Sequence, residues 1–518
     1  MSFELTEEQV KIVEASKTAK VLKIEAFAGA GKTSTLTSVA SANAVPSLYL
    51  TFNKAMADEA EGKFPDHVEC RTIHSMAYSI TGRQLRHKLS RPKGRYMNVA
   101  GTASEIAKFY KVAPVFVDQS CVLTSTLIGL LIQQTVARFE QSSDTHITKS
   151  HVPFRTILEK KSKYPDLNTY QVQDIVFNFA KRLWSDRTNS VSSVLATHDT
   201  YLKLYQLTKP KLNYDILYVD ESQDVSDVML DIVLNQDCRK IFVGDSYQSI
   251  YQFRGAVNAL AKIAAPSLHL SQSFRFGQEV ADLANMIINP TVKIKGFKST
   301  EVEDASKLDI TTLPEGSCLL FRTNVGAMMT AIDLISKGID VDMPSNVSGV
   351  KTILDSAIAL KQGNLDKVKH VLLIPFSSWG EFAEGCKGDP ELEHIFKLAD
   401  KSTEELQDIY DTLQSNNSRK AKYILRTAHG SKGLEWDVVA VMDDFRTDPE
   451  LYLSNQQEAN LLYVATTRAK KKCYYNPLVH DIVDTRNNSK INSAGEGRAD
   501  MANFELQNQI EQEASGWI

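Results

Sequence analysis

The residues AFAGAGKT (26–33) lie between the apolar run VLKIEAF (21–27) and a helical pattern that starts at Ser34. A strand, a loop of small residues and a helix in this order are typical of a phosphate-binding loop, in which backbone N–H groups and a helix N-terminus face the phosphates. We expect Lys32 to reach the β- and γ-phosphates of a nucleotide, and Thr33 to ligate Mg²⁺. The stretch therefore predicts an α/β fold that holds a nucleotide.

The composition is that of an ordinary globular protein. The chain has 518 residues, of which 43% are hydrophobic and 24% charged, which excludes a mostly disordered, collagen-like or coiled-coil chain. Its six cysteines form no C-x-x-C pair, which argues against a zinc ribbon and suits a reducing compartment. The most apolar stretch (121–132) is far shorter than the roughly 20 residues that span a bilayer, so we expect no membrane partner. The formal net charge of −4 means that nucleic-acid binding would need a local basic surface.

Short apolar, β-rich runs followed by helical patterns predict strand–helix units and hence parallel sheets. The runs form an early and a late set, at 21–27, 47–52, 216–219 and 240–244, and at 318–321, 424–427 and 437–442. A helical, polar stretch interrupts each set, so two α/β cores with one insertion each are expected. The expected order is a first core at 1–84 and 196–262 around an insertion at 85–195, a second core at 263–344 and 419–487 around a shorter insertion at 345–418, and a polar tail at 488–518.

The run ILYVDESQD (216–224) is an apolar strand that ends in paired carboxylates. Such a strand would deliver Asp220 to a Mg²⁺ shell and Glu221 to a water that attacks the γ-phosphate. The alternative is a strand that ends in solvated acids. The phosphate-binding loop in the same chain favours the catalytic interpretation.

A third motif, VGDSYQSIYQFRGA (243–256), also begins at a strand end. Gln248 is placed to sense the γ-phosphate, while Tyr251, Phe253 and Arg254 bring aromatic and cationic groups together. Aromatic faces beside a cation suit the stacking of single-stranded bases. Seen alone, such a cluster is more often core packing.

With TFNKA (51–55), TIH (72–74), QSFR (272–275), TAHGSKGLEW (427–436) and LLYVATTRAKK (461–471), these motifs resemble the series of superfamily 1 helicases of the UvrD/Rep/PcrA type. The wording TFNKA, TIHSMAY and GLEW is similar to that of the F-box DNA helicase branch, although no F-box can be claimed. The resemblance implies two RecA-like P-loop cores with parallel sheets, each carrying a mostly helical insertion. It also implies a DNA-dependent ATPase that uses ATP and Mg²⁺.

The resemblance assigns nucleotide roles residue by residue. Gln9 matches the residue that reads adenine, and Phe274 the aromatic that stacks on the base. Arg275 and Arg468 match arginines that reach the γ-phosphate, and Glu435 the acid that holds the ribose. The implied catalytic set is Lys32, Glu221, Gln248, Arg275 and Arg468. The implied nucleotide contacts are Gln9, Ala28, Gly29, Ala30, Gly31, Lys32, Thr33, Ser34, Phe274 and Glu435, with Mg²⁺ on Thr33 and Asp220.

The resemblance also implies a path for single-stranded DNA and its junctions with duplex, and 3′-to-5′ travel. Polar side chains on this path would contact phosphates and aromatic ones would stack on bases, with little sequence preference. The alternative for His74 and His429 taken singly is a structural histidine. The implied DNA contacts are Phe52, Asn53, Thr72, His74, Tyr251, Phe253, Arg254, Arg322 and His429.

Three features depart from the family pattern. Ser34 stands where many relatives have a basic residue. Residues 428–433 read AHGSKG, with Gly430 in the motif that usually reads LHSAKG in the bacterial repair enzymes. The insertion at 345–418 is short. The short insertion keeps open a translocase that displaces bound proteins from single strands. A third possibility is an ATP-gated DNA-binding subunit of a larger repair or defence complex, although no catalytic position is broken. Repair, recombination or nuclease partner proteins stay unidentified, and the expected location is the cytoplasm, or the nucleus in a eukaryote.

Overall fold

The computed structural model describes residues 4–51, 53–90, 100–251, 257–343, 347–387, 390–445 and 447–495. The strands are β1 (Val21–Ala26), β2 (Ser47–Thr51), β3 (Val68–Thr72), β4 (Val115–Val117), β5 (Ser120–Leu123), β6 (Ile216–Val219), β7 (Arg239–Gly244), β8 (Ser267–Leu270), β9 (Glu301–Asp304), β10 (Cys318–Phe321), β11 (Val341–Asp342), β12 (Tyr423–Thr427), β13 (Trp436–Val441) and β14 (Ala469–Tyr475). The helices are α1 (Glu7–Ser16), α2 (Lys32–Ala42), α3 (Lys54–Glu61), α4 (Ile73–Ala77), α5 (Ala103–Phe109), α6 (Ser125–Gln141), α7 (Phe154–Lys163), α8 (Thr169–Thr188), α9 (His198–Leu207), α10 (Asp227–Leu234), α11 (Ala259–Lys262), α12 (Gln278–Ile288), α13 (Asn324–Ser336), α14 (Val347–Lys361), α15 (Trp379–Gly385), α16 (Pro390–Ala399), α17 (Thr403–Ser415), α18 (Pro449–Ser454), α19 (Gln456–Thr466) and α20 (Leu478–Gly495).

Two six-stranded parallel sheets form the frame of the molecule. Their strand orders are β3-β2-β6-β7-β1-β8 and β11-β12-β10-β13-β14-β9. The central strands β6 and β10 read ILYV and CLLF and are buried along their whole length, because helices cover both faces of a parallel sheet. The predicted α/β class with parallel sheets is confirmed.

The strands that the sequence did not predict are polar or short. β3 reads VECRT and β9 reads EVED, and both lie at sheet edges, where little of a strand is buried. β8 lies in the first sheet, although the expected second core started at 263. β14, with the sequence AKKKCYY, pairs inside the second sheet. Apolar runs therefore predicted the central strands and missed the strands that are short or have few apolar side chains.

The chain leaves each sheet through a mostly helical segment. Between the strands of the first sheet lie α5 to α8 and a small antiparallel hairpin, β4-β5. α5 and α6 cross closely at Gly129, where an added Cβ would lie 2.2 Å from the carbonyl oxygen of Ala103. Between the strands of the second sheet lie α14 to α17. The two segments meet where Lys160 Nζ lies 2.7 Å from Glu381 Oε1.

A short terminal helix is the alternative to a mobile tail after about residue 487, and a helix continues past residue 488. Helix α20 runs through that position to Gly495, and residues 496–518 lie outside the described part. Within the described part, every helix is too short or too polar to cross a bilayer.

Candidate active site

The phosphate-binding loop connects β1 to α2 in a tightly curved backbone. Gly29 and Gly31 have φ angles of 72° and 74°, in the left-handed region that favours glycine. Gly31 is the N-cap of α2, and within the described residues no side chain caps this end. The first N–H groups of α2 are therefore placed to meet a phosphate.

Two acids follow β6, next to the loop lysine. Lys32 Nζ lies 2.8 Å from Glu221 Oε1, and both side chains are about 15% exposed. The hydroxyl of Tyr49 donates to Asp220 Oδ2 over 2.7 Å, and the backbone N–H of Glu221 donates to Asp220 Oδ1 over 2.8 Å. Glu221 itself has a φ of 50°, which is unusual for a residue with a side chain.

The electrostatics of this group follow from burial and from the excess of acids over cations. Burial opposes the charge of Lys32, yet the carboxylates of Glu221 and Asp220 outweigh it and raise the pKa of Lys32. Burial, followed by repulsion from Glu221, raises the pKa of Asp220. Burial also raises the pKa of Asp245, which ends β7 nearby. The buried Asp220 and Asp245 and the partly exposed Glu221 form a carboxylate donor set that fits a hard cation such as Mg²⁺, with Thr33 at the start of α2 as a candidate source of a hydroxyl ligand.

Gln248 lies against the same acids. Its Nε2 donates to Asp245 Oδ2 over 2.9 Å, while the side chain is almost fully buried. The backbone N–H of Asp245 donates to Gln223 Oε1 over 3.0 Å, and this hydrogen bond holds the backbone of Asp245 in place. Gln248 is thus fixed beside Asp245 at the carboxyl end of β7.

A tyrosine of the second core, which sequence reasoning missed, reaches into this group. The backbone N–H of Ala28 donates to the hydroxyl oxygen of Tyr463 over 3.0 Å, and that hydroxyl donates to Asp245 Oδ2 over 2.8 Å. Tyr463 lies on α19, within the motif LLYVATTRAKK. The resemblance assigns a role to Arg468, two residues beyond the end of α19, and none to Tyr463.

Two arginines occupy the same cleft. Arg275 packs on the phosphate-binding loop, since a Cβ at Gly29 would lie 2.6 Å from Arg275 Cβ, and its Nε donates to Glu435 Oε2 over 2.7 Å. Arg468 is fully buried, and its Nε donates to the carbonyl oxygen of Val464 over 2.8 Å. Burial, followed by the charge of Arg275, lowers the pKa of Arg468 to about 9. Two like charges held together in this way suit an added anion.

The predicted base-binding residues surround the N-terminus of α2. Gln9 Nε2 donates to Thr35 Oγ1 over 2.9 Å. A Cβ at Gly31 would lie 3.5 Å from Gln9 Nε2 and 3.6 Å from Phe274 Cε2, so both side chains border the loop. Ser34 is exposed, and its hydroxyl donates to the carbonyl oxygen of Gly31 over 2.9 Å.

A lysine between the two cores was also missed. Lys432 Nζ lies 2.5 Å from Asp224 Oδ2 and 2.6 Å from the carbonyl oxygen of Gln248. The same ammonium lies 5.1 Å from the ring centroid of Tyr251, whose hydroxyl donates to the carbonyl oxygen of His429 over 3.2 Å. Lys432 lies in the motif TAHGSKGLEW, and Asp224 is the last residue of DESQD. The sequence shows both residues but does not show that they are in contact.

Several of the predicted DNA contacts that the structure describes lie near carboxyl ends of strands in both sheets. Asn53 follows β2 and Thr72 ends the neighbouring strand β3, and their side chains cap α3 and α4. His74 Nε2 lies 3.4 Å from Asp199 Oδ1. In the second core, Arg322 follows β10 and makes two hydrogen bonds with Glu458, of 2.9 and 2.7 Å. Of the predicted set, the structure brings Tyr251 and His429 into contact, and Phe52, Phe253 and Arg254 lie outside the described residues.

Two domain profiles and several curated proteins are similar to this chain. Residues 5–265 match the profile described as the UvrD/REP helicase N-terminal domain, and residues 424–475 match the UvrD-like helicase C-terminal domain. The chain is 34% identical over 510 residues to F-box DNA helicase 1 of Gallus gallus, which covers 90% of this chain and 48% of that protein. It is 32% identical over 525 residues to F-box DNA helicase protein 1 of Schizosaccharomyces pombe, which covers 92% of this chain and 58% of that protein.

The chain thus spans about half the length of the curated relatives it matches. The first profile covers half of the chain and includes the phosphate-binding loop, both acids after β6 and Gln248. The second covers the strands β12 to β14 together with Lys432, Tyr463 and Arg468. With both halves of the cleft matched in order, the chain belongs to the UvrD/REP helicase family.

Proposed function

We propose that the chain is an ATP-dependent DNA helicase that moves 3′-to-5′ on single-stranded DNA and unwinds duplex. The observation that carries the proposal is the contact of Tyr463 with the phosphate-binding loop. Its hydroxyl joins the Ala28 N–H to the Asp245 carboxylate, so the helix that leads to Arg468 rests on the nucleotide site of the other core. Binding or loss of a triphosphate at this point would change the fit of the two cores.

In this proposal each residue of the cleft has a stated task. Lys32 and the N-terminus of α2 bind the β- and γ-phosphates, and Glu221 accepts a proton from the attacking water. Thr33 and Asp220 would hold Mg²⁺, which would supply positive charge to the phosphate oxygens when bound. Arg275 and Arg468 stabilise the charge that develops on the γ-phosphate, while Gln248 orients the water. At the other end of the nucleotide, Gln9 reads the base, Phe274 stacks on it and Glu435 holds the ribose.

Movement along DNA would follow from the contacts between the cores. Lys432 and the Tyr251–His429 contact join the second core to Asp224, Gln248 and Tyr251 of the first core. Asn53, Thr72 and His74 would grip the strand from the first core, and Arg322 from the second. Alternating grip during each cycle of hydrolysis would move the strand in one direction. The 3′-to-5′ direction rests on the resemblance of the motif QSIYQFRGA to relatives with that polarity.

The test combines two assays on the same protein. ATP hydrolysis is measured with and without single-stranded DNA, and strand displacement is measured on duplexes with a 3′ tail, a 5′ tail or blunt ends. We expect strong stimulation by DNA and unwinding from the 3′ tail alone. Hydrolysis that ignores DNA would contradict the motor, and unwinding from the 5′ tail would contradict the polarity.

A second candidate, a translocase that displaces bound proteins from single strands, is favoured by the small size of the second insertion, α14 to α17. An assay that follows removal of a protein block from single-stranded DNA separates the two functions. Fast removal with little duplex unwinding would favour the translocase.

A further inference from the structure

Phe297 is an exposed aromatic side chain on a tightly held loop. It exposes 66% of its surface, yet its backbone N–H donates to the carbonyl oxygen of Phe276 over 3.1 Å. The neighbouring Gly296 accepts from Gln272 Nε2 over 2.7 Å and donates to Gln278 Oε1 over 3.0 Å. The ring is therefore presented from a fixed backbone, which is how a binding site presents an apolar group.

The ring of Phe297 contacts the predicted base-stacking residue. The centroids of Phe274 and Phe297 lie 5.4 Å apart, with their planes inclined at 58°. On its other side, Phe274 borders the phosphate-binding loop, since a Cβ at Gly31 would lie 3.6 Å from Phe274 Cε2. Phe274 is still 41% exposed, so part of its surface remains open to a ligand.

The sequence gives a reason why such support matters in this chain. Ser34, which stands where many relatives have a long basic side chain, turns its hydroxyl to its own helix at Gly31. Phe274 would therefore carry more of the contact with the base. A ring that is already fixed loses less rotational freedom on binding, which strengthens the stacking.

We propose that Phe297 is a positioning residue of the nucleotide site, which fixes the tilt of Phe274 and thereby strengthens the binding of a purine nucleoside triphosphate. This inference rests on the proposed binding of ATP. The centroid separation of 5.4 Å lies in the range that aromatic pairs prefer. Phe297 acts on the base through Phe274, whereas the phosphate-binding loop contacts the phosphates.

The first experiment compares two ligands on the Phe297→Ala variant. Calorimetric titration with ATP and with inorganic tripolyphosphate separates the base end of the site from the phosphate end. We expect the Kd for ATP to rise about 2- to 10-fold, the value of one aromatic contact, while the Kd for tripolyphosphate stays at the parental value. The KM for ATP should rise by the same factor with little change in kcat. The variant Phe297→Tyr should have the parental Kd and KM for ATP.

The matched control is Phe116→Ala, which removes a phenylalanine that is 56% exposed on the hairpin of the first insertion. It should leave both titrations unchanged. Equal weakening of ATP and tripolyphosphate by Phe297→Ala would overturn the inference, because it would indicate a disturbed loop. A parental protein that binds neither ligand would instead contradict the proposed function itself.

A double-mutant cycle tests whether Phe297 acts through Phe274. In a Phe274→Ala background the ring to be positioned is absent, so adding Phe297→Ala should leave the Kd for ATP within twofold. If the two substitutions weaken ATP binding by the product of their separate factors, Phe297 acts independently and the positioning role is wrong.

Discussion

The two sheets have the same parallel construction but carry opposite charges to the cleft. The carboxyl ends of β6 and β7 in the first sheet supply acids, among them Asp220, Glu221 and Asp245. The second core brings the cations Lys432 and Arg468 to the same place. Neither half holds both the acids after β6 and β7 and the arginines that the proposed phosphoryl transfer would use. The comparison teaches that the site is divided between two similar frames, so its chemistry depends on how they meet.

The largest effect is expected from removing Lys32, which contacts the acids of the first core. Lys32→Ala should lower ATP hydrolysis about a thousandfold or more, because the β- and γ-phosphates lose their charged contact. Single-stranded DNA binding should stay within twofold of the parental value, since Lys32 contacts Glu221 inside the cleft. A coupled phosphate-release assay and fluorescence anisotropy measure the two quantities. Lys20→Ala, at an exposed position before β1, is the control, and parental hydrolysis by Lys32→Ala would show the site assignment to be wrong.

A smaller effect should follow from breaking the contact that joins the two halves. Lys432→Met leaves Asp224 buried without its ammonium partner at 2.5 Å, and it frees the Gln248 carbonyl. We expect kcat at saturating DNA to fall about 10- to 100-fold while the Kd for ATP changes little, because the cores no longer close in register. The measurement is steady-state hydrolysis with equilibrium nucleotide binding. Lys420→Met, at an exposed position of the second core, should be neutral, and a large loss of ATP affinity with unchanged kcat would contradict this coupling.

The DNA end of the first half can be tested through Asp199. Its carboxylate lies 3.4 Å from His74 Nε2, and it also accepts from Gln141 Nε2 over 3.3 Å. Asp199→Asn should weaken single-stranded DNA binding about 3- to 10-fold, since the predicted phosphate-contacting ring loses its charged anchor. Fluorescence anisotropy gives the Kd. Asp174→Asn, on the exposed face of α8, serves as control, and unchanged affinity in Asp199→Asn would make His74 a structural histidine.

The smallest effect concerns the contact between the two insertions, away from the cleft. Burial alone would raise the pKa of Glu381, but the hydrogen bonds from Lys160 and from the Ser377 backbone, together with the charges of Lys160 and Lys163, outweigh burial and lower that pKa. A carboxyl whose pKa is lowered by folding stabilises the protein above its unfolded pKa of about 4.3, and this stabilisation is lost as the pH falls through the folded value. Glu381→Gln should therefore lower the free energy of unfolding by about 1 kcal/mol at pH 7, with the difference shrinking below about pH 4.

Urea unfolding of parental and variant proteins across this pH range measures the difference. Glu384→Gln is a matched control on the same helix, because its partner Lys387 lies 3.0 Å away and the glutamate side chain is 72% exposed. An exposed pair of this kind contributes little. Equal effects of the two substitutions would mean that the contact between the insertions does not stabilise the fold.

The sequence predicted those parts of the fold and the site that are written in consecutive residues. The run ILYV and the acids after it could be read together, because a strand and its carboxyl end are adjacent in the chain. β9, with the sequence EVED, could not be predicted, because its place at a sheet edge requires few apolar residues.

Contacts between the cores were out of reach for a different reason. Lys432 and Asp224 are 208 residues apart in the chain, and Tyr463 and Asp245 are 218 apart. Each residue stands inside a motif that the sequence displays, but only the packing of one sheet against the other decides which motifs touch. The resemblance assigns a role to each residue separately, so it does not predict which residues of the two cores are in contact.

The backbone at Glu221 has a consequence for the evolution of stability. A φ of 50° at a residue with a side chain costs about 1 kcal/mol or more relative to glycine, and this strain persists in a region where the surrounding contacts fix the chain. The general-base candidate thus occupies a position where a glycine would fold more favourably. In the proposed mechanism, activity and stability are therefore opposed at this residue, since selection for thermostability alone would favour a glycine over the acid.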